Sequence, residues 1–171
     1  IGILVILFGA GGESTSALMG SSIFYLANLP TIQEKLRSNP KLIDNFIEEV
    51  TRFSPPFKFH YRSVRSDCAL GSYNLSLGHK LMLSWDSANR DRAIFEDPDS
   101  FSLNRKRPKN HMGFGRGSHF CLGAVLARLE TKVMIEELIN KTSNVRLQEQ
   151  PNYFNSIFVR RFASLNISIE I

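Results

Sequence analysis

Phe114-Gly115-Arg116-Gly117-Ser118-His119-Phe120-Cys121-Leu122-Gly123 is the stretch that decides the fold. Glycine has no Cβ, so a loop rich in it lets backbone approach a flat ligand closely. A helical pattern follows from about Leu122 to Asn140, so the loop delivers Cys121 to a helix start, where free N–H groups and the dipole favour negative charge. A cysteine so placed is a thiolate candidate: nucleophile, redox thiol or metal ligand. The nucleophile role lacks a clear partner, since His119 lies in the same loop and reaches the thiol only if the loop folds back. The redox role lacks a resolving thiol nearby. The plain alternative is a buried structural cysteine.

Outward from this loop, composition narrows the classes. The 171 residues, 43% hydrophobic and 22% charged, suit one domain with a core of its own and do not read as disordered. A net charge of +5 is too small alone to argue for nucleic acid. The two cysteines form no CxxC, which excludes a disulfide scaffold and a four-cysteine zinc site. No uninterrupted apolar run is long enough to span a bilayer, the longest stopping at Gly11-Gly12-Glu13, and no basic region precedes it as in a signal peptide. The chain opens on Ile1 in mid-pattern, as a fragment would.

The first third reads as helices. Leu18 to Asn28 has helical spacing and ends at Pro30; Thr31 to Ser38 follows with Thr31 as cap. Leu42 to Phe53 carries one apolar stripe and ends at Ser54-Pro55-Pro56. From Phe57 to Ser84 alternation and turn signals at Gly71-Ser72 and Gly78-His79 predict short strands. Residues 89–111 read as a long ordered loop, a length that is usually functional. The tail predicts two strands, Ser156 to Arg161 and Leu165 to Ile171. The fold class expected is mainly α with small β-sheets.

A single axial thiolate on haem iron needs neither a base nor a second thiol, and Phe114 offers an aromatic ring to pack near a porphyrin. Here the sequence resembles the cytochrome P-450 family, the haem-thiolate monooxygenases. Their signature F-x-x-G-x-x-x-C-x-G is filled by Phe114, Gly117, Cys121 and Gly123, and chance supplies it at roughly 6 × 10⁻⁴ over a chain of this composition. The fuller string HMGFGRGSHFCLGAVLARLE looks like the soluble bacterial, cytoplasmic branch. The resemblance implies that Cys121 is the axial ligand of haem b (iron protoporphyrin IX). It also implies that His119 bonds a haem propionate, with Phe114, Gly115 and Gly123 in the cofactor-binding loop. It spans essentially the whole chain but only the C-terminal part of the family fold, from the distal helix to the helix after the cysteine loop. Residues 1–171 are therefore expected to be the C-terminal portion of a single haem-binding domain, its N-terminal half absent.

Other motifs agree in order and distance. Glu49 and Arg52 match the family's E-x-x-R; alone, such a pair is usually an exposed helix pair worth a few tenths of a kcal/mol. The resemblance adds Arg105, in FEDPDSFSLNR, as third member of a network fixing the loop backbone. Arg62 occupies the place of an arginine that offers its fork to a propionate. Ala88-Asn89-Arg90-Asp91 matches A-N-R-D, but Arg92 replaces the usual proline, which questions the local turn.

Ile3 to Phe8 before Gly9-Ala10-Gly11-Gly12-Glu13-Ser14 imitates a strand entering a dinucleotide loop. Ser14 in place of the third glycine and the lack of a following βαβ unit weigh against it. The family reading is A-G-x-[D/E]-T on a long distal helix. Glu13 beside an alcohol, Ser14 here with Thr15 next, would relay protons toward dioxygen. Ser14 keeps the hydroxyl of the usual threonine and loses its methyl. By resemblance, substrate-facing candidates are Ile6, Gly9, Ala10, Phe57, Phe59, Phe158 and Val159, mostly apolar and suited to a hydrophobic small molecule; each could equally be ordinary core. Arg105, Lys106, Arg107, Lys109 and Arg116 form a basic run that suits a ferredoxin- or flavodoxin-like electron donor, or simply a solvated loop. Function is thus expected to be dioxygen-dependent hydroxylation of a hydrophobic molecule. A haem-binding remnant without turnover is the second reading, and a nicotinamide-binding enzyme the third.

Overall fold

Four glycines among the first twelve residues do not break the first helix. In the computed structural model, which describes residues 1–171, α1 runs unbroken over Gly2–Asn28. The strand required by the dinucleotide reading is absent, because Ile3 to Phe8 lie within this helix. Its second half faces the core through Ala17, Leu18, Leu26 and Ala27, whereas Ile3 to Phe8 are exposed. At 27 residues, with mean hydropathy 1.4 in its most apolar window, α1 is long and apolar enough to cross a membrane. The helix as a whole thus reaches a length that its uninterrupted apolar run does not.

The second helix, α2, spans Pro30–Ser38. Leu29, not Thr31, is its cap: Pro30 takes the first helical position, where its fixed φ fits and no N–H is needed. After a 3-10 turn at Pro40–Leu42 comes α3, Ile43–Phe53, ending at Ser54 as expected. Two antiparallel hairpins follow. Strands β1 (Phe59–Ser63) and β4 (Lys80–Ser84) pair with Phe59 opposite Ser84, and enclose β2 (Cys68–Leu70) and β3 (Tyr73–Leu75). Gly71, with φ of 58°, turns the inner hairpin, where residues bearing a Cβ are strained. A short α4, Trp85–Ala88, leads into the long loop, and α5, Ala124–Lys141, follows the cysteine segment.

The tail departs from expectation. Strand β5 (Asn144–Leu147), too short and polar to read, pairs with β6 (Ile167–Glu170). Ser156 to Arg161 is not a strand. Ser156 Oγ accepts from the N–H groups of Phe158 (3.2 Å) and Val159 (3.0 Å), which curls the chain. Lys58 N–H then donates to Phe158 O and Arg160 N–H to Pro56 O, leaving isolated bridges rather than a ladder.

The core lies where α1, α2, α3 and α5 meet. Leu18, Leu26, Leu36, Phe46, Ile47, Val50, Ile135 and Val145 pack in one cluster, and Leu103 of the long loop joins it. Burying such side chains stabilises by about 1.5–3 kcal/mol each. Gln33 ties the layers: its amide donates to Val145 O (2.9 Å) and accepts from Val145 N–H (2.9 Å). The consequence for the site is that α3 is fully fixed, and α3 carries the residues that hold the loops.

Candidate functional site

The loop from His111 to Gly123 lies against α3. An added Cβ on Gly113 would meet Thr51 Cγ2 at 2.6 Å and Thr51 O at 2.9 Å, so the loop rests flush on the helix. Gly115 and Gly117 both have φ of 70°, the left-handed region that favours glycine. Cys121 does not lie in the first turn of α5: Gly123 caps the helix and Cys121 precedes it. Its backbone is fixed at both ends, N–H to Phe114 O at 2.9 Å and C=O accepting from Ala124 N–H at 3.2 Å. Cys121 is a free thiol, and exposed, which removes the buried structural cysteine reading.

The long loop that leads into it is braced by a buried network. Glu49 and Arg52 are both fully buried, so the exposed helix pair is excluded. Arg52 donates to Glu49 from Nε (2.8 Å) and Nη2 (2.9 Å). Arg105 Nε donates to both Glu49 oxygens at 2.9 and 2.8 Å, and Ser102 N–H adds a bond of 2.8 Å. The guanidinium groups then seize loop carbonyls: Arg52 those of Asn89, Pro98 and Ser100, and Arg105 those of Glu96, Asp97 and Ser100. Charge-assisted bonds to backbone turn a long loop into a rigid part. Asn89 extends the lattice, donating to Arg52 O (3.0 Å) and accepting from Met112 N–H (2.6 Å). The turn at Arg92 forms without proline, because Asp91 Oδ1 accepts from Ala93 N–H and Asp91 O from Ile94 and Phe95 N–H. Arg105 is consequently taken out of the basic run; Lys106, Arg107, Lys109 and Arg116 remain exposed.

A second network was not anticipated. Glu48, next to Glu49, accepts from Arg128 Nε (2.6 Å) and Nη2 (3.0 Å) and meets His111 Nε2 at 2.8 Å. Burial pushes the Glu48 carboxyl upward, but the hydrogen bonds from His111 and Arg128, with the Arg128 charge, outweigh it and hold the group at about 2. His111 and Arg128 frame the quoted string HMGFGRGSHFCLGAVLAR, and only that flanking position hinted at a partner for Glu48.

The expected relay residues are neighbours but not partners. Glu13 Oε1 accepts from Arg161 Nε at 3.2 Å, and Ser14 Oγ donates to Ala10 O at 2.6 Å, with Thr15 beside them half-buried. Phe57, Phe59 and Phe158 converge with ring centroids 4.9 and 5.5 Å apart, and Val159 bridges Phe57. His60 belongs to this cluster too, 5.2 Å from Phe158, and accepts from Trp85 Nε1 at 2.7 Å. Its pKa is lowered by burial and then by the Arg62 charge. Ile6, Gly9 and Ala10 share one exposed face of α1. His119 is exposed, and Arg62 is exposed on β1 with Nη1 on Tyr61 O.

No group of three or more His, Cys, Asp or Glu side chains that could hold a metal ion exists in the structure. The free, exposed thiol of Cys121 offers one soft ligand, which fits an iron held for the rest by a macrocycle that leaves a position open.

A mainly helical core, small hairpins and a thiol-bearing loop held against α3 are the features on which the comparisons with haem-thiolate proteins bear. The family model described as Cytochrome P-450 matches residues 3–160. Cytochrome P-450 144 of Mycobacterium tuberculosis is 45% identical over 168 residues, 98% of this chain and 39% of that protein. Beta-dihydromenaquinone-9 omega-hydroxylase of Mycobacterium bovis is 33% identical over 165 residues, 96% of this chain and 34% of that protein. The crystal structure of CYP109E1 from Bacillus megaterium in complex with corticosterone superposes with a TM-score of 0.95 at 36% identity, covering 99% of this chain and 46% of that one. The chain belongs to the cytochrome P-450 family, whose members bind haem b as cofactor. It spans about two fifths of the length of the first of these relatives and matches the C-terminal portion of the fold.

Proposed function

We propose that this chain supplies the thiolate side of a monooxygenase that places one oxygen atom of dioxygen on a hydrophobic small molecule. The other atom leaves as water, with electrons from a donor protein and protons relayed along α1. The observation that carries this is the exposed thiol of Cys121, its backbone tied to Phe114 on a loop whose two ends the buried Glu48 holds through His111 and Arg128. Haem b, when bound through Cys121, supplies the activation of dioxygen, and a thiolate ligand favours O–O cleavage.

The remaining roles belong to this chain's own side chains. Phe114, Gly115 and Gly123 would help to hold the macrocycle, and His119 and Arg62 would offer donors to its carboxylates. The Ser14 hydroxyl donates to Ala10 O and keeps lone pairs that accept a hydrogen bond from water. Glu13, held as a carboxylate by Arg161, would order the water that passes protons toward Ser14, with Thr15 the second hydroxyl. Ile6, Gly9 and Ala10 from one side and the Phe57, Phe59, Phe158 and Val159 cluster from another would form an apolar substrate wall. A steroid in one relative and the menaquinone named for another support the hydrophobic class. Lys106, Arg107, Lys109 and Arg116 suit an acidic ferredoxin- or flavodoxin-like donor, with docking weakened by salt. The bacterial relatives support a cytoplasmic site of action.

The test is the carbon monoxide difference spectrum of the reduced, haem-loaded protein. A thiolate-type Soret band that disappears in Cys121→Ala supports the reading; an imidazole-type band in the unsubstituted protein refutes it. Product formation with NAD(P)H and a donor separates a turning-over enzyme from a haem-binding remnant.

A further inference from the structure

We propose that Glu48, His111 and Arg128 form a positioning device for the cysteine loop, separate from the Glu49 network and needed to hold the sulfur in register. This rests on Cys121 being the haem ligand. Glu48 is buried, with a side chain 4% exposed, and its carboxylate faces two partners that flank the loop in sequence. His111 stands at the loop entrance and Arg128 in the second turn of α5, so one carboxylate pins both ends of the segment carrying Cys121.

The hydrogen bonds fix orientation as well as distance. Gly113 N–H donates to His111 Nδ1 at 3.1 Å, which leaves Nε2 as the protonated nitrogen, aimed at Glu48 Oε2. Arg128 grips the carboxylate through Nε and Nη2 while its guanidinium carbon lies 4.3 Å from the centroid of the Phe114 ring. The ring of His111 approaches the same phenyl, centroids 5.8 Å apart. Phe114 is thus held by a cation on one side and an imidazole on another, and its carbonyl receives the Cys121 N–H. A path of contacts runs from Glu48 through Arg128 and Phe114 to the backbone of the ligand residue.

Fold stability alone does not explain such a cluster. Buried ion pairs are commonly matched or exceeded in stability by apolar residues of similar volume. What apolar packing does not provide is the planar two-point grip that fixes where a guanidinium sits. The Glu49 network holds the long loop before His111 and shares none of these side chains, so it does not substitute for Glu48.

The experiment uses haem-loaded protein carrying Glu48→Gln, Arg128→Lys or Arg128→Met, all measured well below their unfolding midpoints. Two readouts are taken: the thiolate-type fraction of the ferrous carbon monoxide spectrum, and hydrogen exchange at the Cys121 amide. Arg128→Lys restores charge without the fork. Positioning predicts that it fails as Arg128→Met does, with the thiolate-type fraction at least halved and Cys121 amide exchange about tenfold faster. The inner hairpin at Cys68 to Leu75 should exchange as before. Lower midpoints with unchanged spectrum and unchanged Cys121 exchange would overturn the proposal, as would full rescue by lysine. If the unsubstituted protein itself shows no thiolate band, the ligand assignment of Cys121 fails, and the exchange readout still decides whether Glu48 orders the loop.

Discussion

Replacing Gly113 by alanine tests the seating of the loop on α3 directly. The new methyl would lie 2.6 Å from Thr51 Cγ2 and 2.9 Å from Thr51 O, short of ordinary contact at 3.4 Å by about 0.8 and 0.5 Å. Neither neighbour yields readily. Thr51 Oγ1 donates to Ile47 O at 2.7 Å, which fixes its rotamer, and Thr51 O belongs to the buried helix. Loss of backbone freedom in the unfolded chain works the other way, stabilising by about 0.4–1 kcal/mol. Overpacking costs about 1–3 kcal/mol, so the steric effect wins and a net loss of roughly 1–2 kcal/mol is expected. Urea unfolding of the haem-loaded protein measures this, and Gly20→Ala is the control, since its Cβ would meet only Phe162 Cδ2 at 3.7 Å, an ordinary contact. A Gly113→Ala protein as stable as the parent, with an unaltered thiolate band, would refute the claim that the loop lies flush against Thr51.

Glu49→Gln leaves the buried guanidinium groups of Arg52 and Arg105 without their counter-charge, and should cost about 3–5 kcal/mol in urea unfolding. The Glu48 carboxyl, lowered from 4.5 to about 2 in the folded state, contributes stability above pH 4.5 that is lost as pH falls toward 2. That loss is worth roughly 3 kcal/mol, and unfolding free energies measured from pH 5 to 2 should show a shallower decline in Glu48→Gln. His60, its pKa lowered, must stay unprotonated at Nδ1 to accept from Trp85. Emission from Trp85, the single tryptophan, should therefore titrate below pH 6.5, with the His60 contribution present above 6.5 and lost as pH falls; a transition above 6.5 would contradict the bond. Ser14→Ala should lower product yield and raise peroxide release without altering the carbon monoxide spectrum.

The sequence already exposed what depends on local pattern. Helix α3 and its stop at Ser54 follow from the spacing of Ile43, Phe46, Ile47 and Val50 and from the prolines after it. The cysteine loop was legible because glycines at fixed offsets leave a rigid signature. What stayed hidden depends on pairing at a distance. Ser156 to Arg161 alternates like a strand, yet its backbone partners lie in residues 56–58, and a hydroxyl turn intervenes. Strand β5 depends on distant partners: β6 pairs with it, and Gln33, more than a hundred residues away, bonds both the N–H and the carbonyl of Val145. That Glu48 has His111 and Arg128 as partners is a property of the packed helices. Arg105 was assigned to two roles, and burial against Glu49 selects one.

The adjacency of Glu48 and Glu49 restricts chain length as well as composition. Consecutive positions on an α-helix are rotated by about 100°, which is how two neighbouring carboxylates serve two clamps without sharing a donor. Inserting or deleting a single residue between Pro40 and Glu48 would swing both acids through that angle together, parting Glu48 from Arg128 and Glu49 from Arg105 while Arg52 turns with them. The register of this helix is therefore under a stricter constraint than most of its side chains, and tolerated variation in α3 should consist of exchanges, not of changes in residue number.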